Sequence, residues 1–335
     1  MISILEQSHH RARALLTCGA PVYLSANPVE YHGPHLSLRN DALISLGFIR
    51  SLHARLASSN PDWPLLFAGN LEAGVDPVPG PGSVFVSYRD MRRMVLDACR
   101  SLVELGAKRV VIMTFHGSPL HNLAIHKGIE FLENAGVQAV APLAIVLRDL
   151  LQADPNELAS AYAHVRDPQE RAAMIQGAPI DIHGGFIETS LALHFAPESV
   201  SNHTVLPPCP ETRPIAAFES LSRFFLRLGR KQLSDELRML AAVAPWYGLR
   251  PFPGYTGRPH HATPEAGALF AQREVALMAQ WSEQIFSGRA RAPRPIMTWV
   301  EAFTLRGRIG EVRIPASEIA QSALQEPGST RAISG

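Results

Sequence analysis

Two kinds of apolar segment alternate along the first half of the chain. Short runs of strand length lie at residues 22–25, 64–68, 109–115 and 137–141. Longer segments with apolar residues three and four apart, the spacing of an amphipathic helix, lie at residues 41–57, 88–105 and 121–134. Strands that alternate with helices form a mainly parallel sheet with helices on both faces. The sequence therefore predicts an α/β fold, with ligands bound at the carboxyl ends of the strands.

The second half of the chain is richer in helical patterns. Amphipathic spacing predicts helices at residues 211–227, 232–243 and 264–286. Two short strands are expected near the end, at residues 297–305 and 311–314. We expect residues 1–290 to form one domain and residues 291–335 a C-terminal extension, whose final dozen polar residues are disordered.

The composition excludes several classes of protein. With a formal net charge of +1 over 335 residues, the chain has no basic excess for nucleic acid or anionic membrane. Its three cysteines are far apart and form no C-x-x-C pair, so neither a thiolate zinc site nor a disulfide framework is indicated. No apolar run approaches the roughly 18 residues that span a bilayer, and the N-terminus has no signal-peptide core. We therefore expect a cytoplasmic protein that acts on a small molecule.

One short segment after the first predicted strand concentrates metal-binding side chains. It holds Glu30, His32, His35 and Asp41. Residues two apart in extended chain project to the same side, so Glu30 and His32 are expected to face one pocket, and the Gly33-Pro34 turn brings the other two back toward it. Carboxylates with imidazoles suit Zn²⁺, Mn²⁺ or Fe²⁺. A polar loop whose histidines cap backbone groups is the alternative.

Two further His-Gly segments favour the metal interpretation. His116-Gly117 follows the predicted strand at residues 109–115. His183-Gly184 precedes a short predicted helix, with Glu188 in its early turns, where the helix dipole favours a carboxylate. An acidic helix start after a glycine turn is the plainer alternative for this last segment.

These segments together resemble the creatininase (creatinine amidohydrolase) family. The first motif of that family, E-Q-H-G-P-H-L-P-L-x-T-D, is similar to residues 30–41. The third, D-x-H-A-G-x-x-E-T-S, is similar to residues 181–190, and a fourth, G-x-P-x-x-A-T-x-E-x-G, to residues 257–267. The second, N-G-H-G-G-N, is matched only by His116-Gly117. The resemblance implies a three-layer α/β/α fold.

The resemblance also implies a chemistry and a ligand set. Members of the family hydrolyse C–N bonds of cyclic amides, formamides or modified peptides by attack of a water that bridges two divalent metal ions. Carried over by position, one ion takes Glu30, Asp41 and His116, and the other takes His32, Asp41 and Glu188, so Asp41 bridges them. Related proteins form hexamers or smaller rings, which implies a homo-oligomer.

The matches and departures together assign the remaining roles. Creatinine-hydrolysing members carry a carboxylate two residues after the equivalent of His116, and Ser118 stands there in this chain, which indicates Glu188 as the ligand instead. His183 and Glu188 are the candidate catalytic residues; His183 protonates the departing nitrogen or stabilises an oxyanion, unless it only caps the next helix. His260 and His261 are weaker candidates for substrate contacts.

Two other functions remain open at this level. Some relatives act on cyclic sugar-derived ketones, so the bond that is cleaved need not be an amide. The incomplete second motif is also compatible with a metal-binding protein of the same fold that lacks catalytic activity.

Overall fold

The computed structural model describes residues 1–152, 154–309 and 312–320. Five strands form one sheet in the order β1-β3-β2-β4-β5, and their pairings are parallel. The strands are β1 (Ile2–Ser3), β2 (Val22–Asn27), β3 (Leu66–Glu72), β4 (Arg109–Met113) and β5 (Gln138–Val140). The predicted parallel sheet is confirmed. The two-residue strand β1 has no equivalent in the sequence prediction, because so short a strand carries no periodic signal.

Helices connect and follow the strands in the described part of the chain. They are α1 (His9–Leu16), α2 (Asn40–Ala57), α3 (Tyr88–Leu105), α4 (Pro119–Asn134), α5 (Pro142–Leu150), α6 (Pro168–Gly177), α7 (Phe186–Phe195), α8 (Ala216–Arg227), α9 (Lys231–Val243), α10 (Pro264–Phe286) and the single turn α11 (Val300–Phe303). None of these described helices has the length and apolar content needed to cross a bilayer. Short 3-10 turns, including Pro155–Tyr162 and Ala244–Gly248, connect several of them.

Side chains of the central strands alternate between two hydrophobic cores. Tyr23 and Val111 belong to the core under α2, α7 and α10, whereas Val22 and Val110 belong to the core under α3 and α4. This period of two is what a strand buried on both faces requires. The three-layer α/β/α arrangement implied by the resemblance is therefore confirmed.

The order of the strands fixes where a ligand site belongs. From β2 the chain passes through α2 to β3 on one side, and from β4 it passes through α4 to β5 on the other. The connections thus diverge between the adjacent strands β2 and β4, and such a switch point opens a crevice at the carboxyl ends of the strands. Residues 28–41 and 114–118 follow β2 and β4 at this crevice.

The C-terminal part contradicts one prediction. The predicted strand at residues 297–305 is wrong, because the chain forms α11 there and packs it against α4. Trp299 Nε1 donates to Glu236 Oε2 (2.9 Å), and Tyr88 Oη donates to Glu301 Oε1 (3.0 Å), so the first half of this segment is held by α9 and α3 rather than by a sheet edge. The division of the chain at residue 290 stays a prediction. Of the predicted strand at residues 311–314, the described residues 312–314 form no strand. The predicted disorder of the last dozen residues lies outside the described residues.

One buried carboxyl in the helical layer makes stability depend on pH. Glu274 of α10 is 5 % exposed, and its Oε2 has no hydrogen-bond partner. Burial raises the pKa of Glu274 to about 8. The folded protein therefore retains a proton that the unfolded chain releases above its ordinary pKa of about 4.3, so stability falls as pH rises from about 4 to 8 and then levels off.

Glu274→Gln is therefore expected to raise the free energy of unfolding at pH 8 by a few kcal/mol, which is the size that the pKa shift of Glu274 implies. Near pH 4 the substitution should have little effect, because the carboxyl of Glu274 is then protonated in the folded protein. The measurement is the free energy of unfolding by denaturant across this pH range. Glu283→Gln, on the exposed side of the same helix, is the control and should change stability little at any pH. A gain that does not depend on pH would contradict this assignment.

Candidate metal centre

Five side chains from four segments meet at the crevice between β2 and β4. Glu30 and His32 follow β2, His116 follows β4, Asp41 lies in the first turn of α2 and Glu188 in the first turn of α7. All five are at most 5 % exposed. Ligand atoms of Glu30, Asp41 and His116 lie within 4.8 Å of one another, and so do those of His32, Asp41 and Glu188. The structure thus places together the two triads suggested by the family resemblance, with Asp41 in both.

The imidazole of His32 is oriented by its own loop. Nδ1 lies 3.1 Å from the carbonyl oxygen of Glu30, and a carbonyl can only accept, so Nδ1 carries the proton that it donates. Nε2 then faces carboxylates, 3.1 Å from Asp41 Oδ1 and 3.2 Å from Glu188 Oε1. One ring nitrogen is fixed by a backbone carbonyl while the other faces anionic groups, which is how metal-binding histidines are usually held.

His116 repeats the same arrangement with the nitrogens exchanged. Nε2 donates to the carbonyl oxygen of Val75 (2.9 Å), and Nδ1 lies 2.9 Å from Glu30 Oε1 and 3.7 Å from Asp41 Oδ2. Burial opposes protonation of His116, but the charge of Glu30 outweighs it and raises the pKa of His116 to about 9. Either a proton or a cation must therefore lie between this imidazole and the carboxylates.

The charges of the centre fit divalent cations. Three buried carboxylates lie around two imidazoles, and Asp41 Oδ2 is a buried atom with no hydrogen-bond partner. Buried carboxylates are costly unless cations or hydrogen bonds compensate them. The donor set, oxygen with imidazole nitrogen, is the set that Zn²⁺ and Mn²⁺ accept.

Neighbouring groups hold the carboxylates in position. The backbone N–H of Val78 donates to Glu30 Oε2 (2.6 Å), and that of Gly184 donates to Glu188 Oε2 (2.5 Å). Asn40 Nδ2 donates to Glu188 Oε1 (2.8 Å). The Gly/Pro-rich loop at residues 73–82 thus holds both Glu30, through Val78, and His116, through Val75. Sequence reasoning missed Asn40, although its position beside Asp41 was a usable signal.

His35 does not join the two triads. It is buried, and its Nε2 lies 2.9 Å from Thr189 Oγ1. Burial lowers the pKa of His35 to about 3. Its neutral ring ties the loop after β2 to α7, so its contribution is to position the ligands on those segments.

His183 lies over the centre. Its ring stacks on that of His32 with centroids 4.2 Å apart, and its Nε2 donates to the carbonyl oxygen of Tyr31 (2.8 Å). Burial, and then the charge of His32, lower the pKa of His183 to about 4. The helix that follows is capped by Asp181, whose Oδ2 accepts from the N–H of Ile187 (3.0 Å). The interpretation of His183 as a helix cap is therefore wrong.

The other predicted positions lie outside the two triads. Ser118 donates to Asp76 Oδ2 (3.3 Å). His260 and His261 form a separate half-buried group with Glu170, whose Oε1 lies 3.2 Å from His261 Nε2 and also accepts from Arg258 (3.0 Å). Because the guanidinium of Arg258 already neutralises this carboxylate, the group is an ion cluster rather than part of the centre.

Comparisons with known proteins agree with this geometry. The sequence profile of the creatininase family, described as creatinine amidohydrolase, matches residues 6–282. No curated protein matches the sequence. A solved creatinine amidohydrolase (creatininase) aligns with 20 % identity and a TM-score of 0.54, over 85 % of this chain and 98 % of its own.

Two further solved structures show the same fold. A mutant creatininase of the Zn-Zn type has a TM-score of 0.54 at 20 % identity, over 85 % of this chain and 98 % of its own. A manganese creatininase has a TM-score of 0.52 at 19 % identity, with the same shares of both chains. The profile covers most of the sequence, and these folds agree with it. This chain belongs to the creatininase family.

Proposed function

We propose that the protein is a dinuclear metal-dependent hydrolase of a C–N bond in a small molecule. The observation that carries this proposal is the orientation of the two imidazoles. Each is fixed through one nitrogen by a backbone carbonyl, and each turns its other nitrogen toward carboxylates that include Asp41. Glu30, Asp41 and His116 would hold one ion, and His32, Asp41 and Glu188 the other.

The metal ions would activate the water, and His183 and the burial of the centre would contribute the rest of the chemistry. Two bound divalent ions supply activation of a water molecule and polarisation of a carbonyl group. His183 keeps the proton on Nε2, because that nitrogen donates to the carbonyl of Tyr31, so Nδ1 is free to take a proton and deliver it to the departing nitrogen. The burial of the centre excludes bulk water, which strengthens every electrostatic interaction in it.

Metal content is the first test of the proposal. Protein purified without chelators is expected to hold about two equivalents of zinc, manganese or iron per chain, because two triads share Asp41. Inductively coupled plasma mass spectrometry measures the content before and after chelation and reloading. Saturation at one equivalent would contradict the dinuclear site.

Turnover on a panel of amides, cyclic amides and formamides is the second test. Metal-dependent release of ammonia, amine or formate supports the proposal. Ring opening without release of an amine would instead support a cyclic ketone substrate. Two bound ions with no turnover on any of these compounds would support the third function, a metal-binding protein of this fold that lacks catalytic activity.

We also propose that the protein is a homo-oligomer. Light scattering after gel filtration measures its molar mass in solution and tests this proposal.

A further inference from the structure

The ion cluster outside the metal centre contains three side chains of the kind that bind a metal ion. Glu170 lies in the first turn of α6, and His260 and His261 lie in the 3-10 turn Pro259–His261, which leads into α10. One ligand atom from each of these three side chains lies within 4.8 Å of the other two. Two imidazoles and one carboxylate are a donor set that zinc accepts.

Two ring nitrogens of this cluster are buried and have no hydrogen-bond partner in the described part of the chain. They are Nδ1 of His260 and Nε2 of His261. Nε2 of His261 lies 3.2 Å from Glu170 Oε1, yet the two atoms do not form an aligned hydrogen bond. In a tetrahedral zinc site with bonds of about 2.0–2.1 Å, neighbouring ligand atoms lie about 3.4 Å apart. These two atoms therefore have the separation of two ligands on one ion.

Hydrogen bonds hold the turn that carries the two histidines. The backbone N–H of His261 donates to the carbonyl oxygen of Arg258 (3.2 Å), and that of Ala262 donates to the carbonyl oxygen of Pro259 (2.9 Å). His164 Nε2 donates to the carbonyl oxygen of His261 (2.8 Å). Because the backbone of the turn is already fixed, binding an ion requires the ordering of side chains alone, which lowers its entropic cost.

Arg258 leaves room for an ion but weakens its binding. Nη1 of Arg258 donates to Glu170 Oε1 (3.0 Å), and a carboxylate has about four lone-pair positions, so others remain for a metal. Carboxylates that bind a metal are usually held by a second group in this way. The guanidinium is a like charge beside the ion, and the side chains of Glu170 and His261 are 27 % and 24 % exposed. We therefore expect this site to bind zinc more weakly than the buried centre and to fill after it.

We propose that Glu170, His260 and His261 bind one zinc ion, which ties α6 to the turn before α10. Such an ion has three protein ligands and a fourth position open to water. The two histidines stand at variable positions of the fourth family motif, G-x-P-x-x-A-T-x-E-x-G, and Glu170 lies outside the four motifs, so the family resemblance does not imply this site. The proposal is independent of the proposed function, because no residue of the two triads contributes to it.

The test adds zinc to the metal-loaded full-length protein and measures the bound zinc by equilibrium dialysis. The unmodified protein is expected to bind one equivalent per chain more than the double variant His260→Ala, His261→Ala. Glu170→Gln should weaken this additional binding by more than about 100-fold, since losing even a group that only supports a metal ligand costs 10–100-fold. Added zinc should also raise the melting temperature of the unmodified protein but not that of the double variant.

His10→Ala is the matched control. His9-His10 is the other adjacent pair of histidines in the sequence, and both residues are exposed. This variant should retain the additional equivalent. Equal zinc binding by the unmodified protein and the double variant, or loss of the equivalent in His10→Ala, overturns the proposal.

Two features of the design keep the result decisive. Circular dichroism checks that each variant folds, and Glu170→Gln preserves the size of the side chain and an oxygen for Arg258 if the double variant does not fold. In that case, zinc binding by Glu170→Gln that equals binding by the unmodified protein overturns the proposal. Because the result is a difference between variants, it does not depend on how many ions the centre holds.

Discussion

Asp41→Ala is expected to empty both metal positions and to lower turnover by more than about 10³-fold. Its two carboxylate oxygens face different imidazoles: Oδ1 lies 3.1 Å from His32 Nε2 and Oδ2 lies 3.7 Å from His116 Nδ1. Removing one stabilising group from an active site commonly costs about 10²–10³-fold, and here one residue serves both triads. His32→Ala removes a ligand from only one triad, so that variant should retain about one equivalent.

Metal content and turnover are measured on the same preparations of these variants. Asp97→Ala, which changes an exposed aspartate of α3, is the control and should keep both ions and full turnover. Circular dichroism checks that each variant folds. If folded Asp41→Ala retains two equivalents, Asp41 is not a ligand and the shared-carboxylate arrangement is wrong.

His183→Ala is expected to keep its metal and its fold and to lose roughly 10²–10⁴-fold in turnover, the range for a positioned proton donor. The ring reaches the centre by stacking on His32, and its Nε2 is committed to the carbonyl of Tyr31. The loss should fall on kcat more than on KM, because proton transfer contributes in the transition state.

A histidine of matched geometry serves as the control for His183. His203 Nε2 likewise donates to a backbone carbonyl, that of Ala262 (3.2 Å), but His203 is not part of the centre. His203→Ala should therefore keep metal and turnover. Loss of metal in step with activity in His183→Ala would make His183 a ligand, since its ring nitrogen also lies within 4.8 Å of ligand atoms of Glu30 and His32. Retention of both would leave it as a turn residue only.

The periodic segments of the sequence were predicted well, and the irregular ones were not. Helix α10 matches the predicted residues 264–286 because a long amphipathic repeat is a strong signal. The predicted strand at residues 64–68 is displaced, since β3 covers Leu66–Glu72. Helix α1 and strand β1 were missed, because their few apolar residues give neither a helical nor a strand period.

The residue types of the centre could be predicted from the sequence, but the orientation of their side chains could not. Glu30 and His32 face the same pocket, as extended chain predicts, with Glu30 Oε1 3.5 Å from His32 Nε2. The carbonyls of Val75 and Tyr31 that orient His116 and His183 carry no side-chain signature, because any residue supplies the same backbone oxygen.

The sequence by itself determined the chemistry of the donors and the order of the elements that carry them. A strand followed by Glu30 and His32, and another followed by His116, place carboxylate and imidazole groups at one edge of a parallel sheet. Only the tertiary structure decided how distant segments complete the centre: Asn40 bonds to Glu188 across 148 positions, and the carbonyl of Val75 orients His116. The physical reason is that periodicity depends on residues close in sequence, whereas hydrogen bonds between distant segments depend on which helices and strands pack against each other in the folded protein.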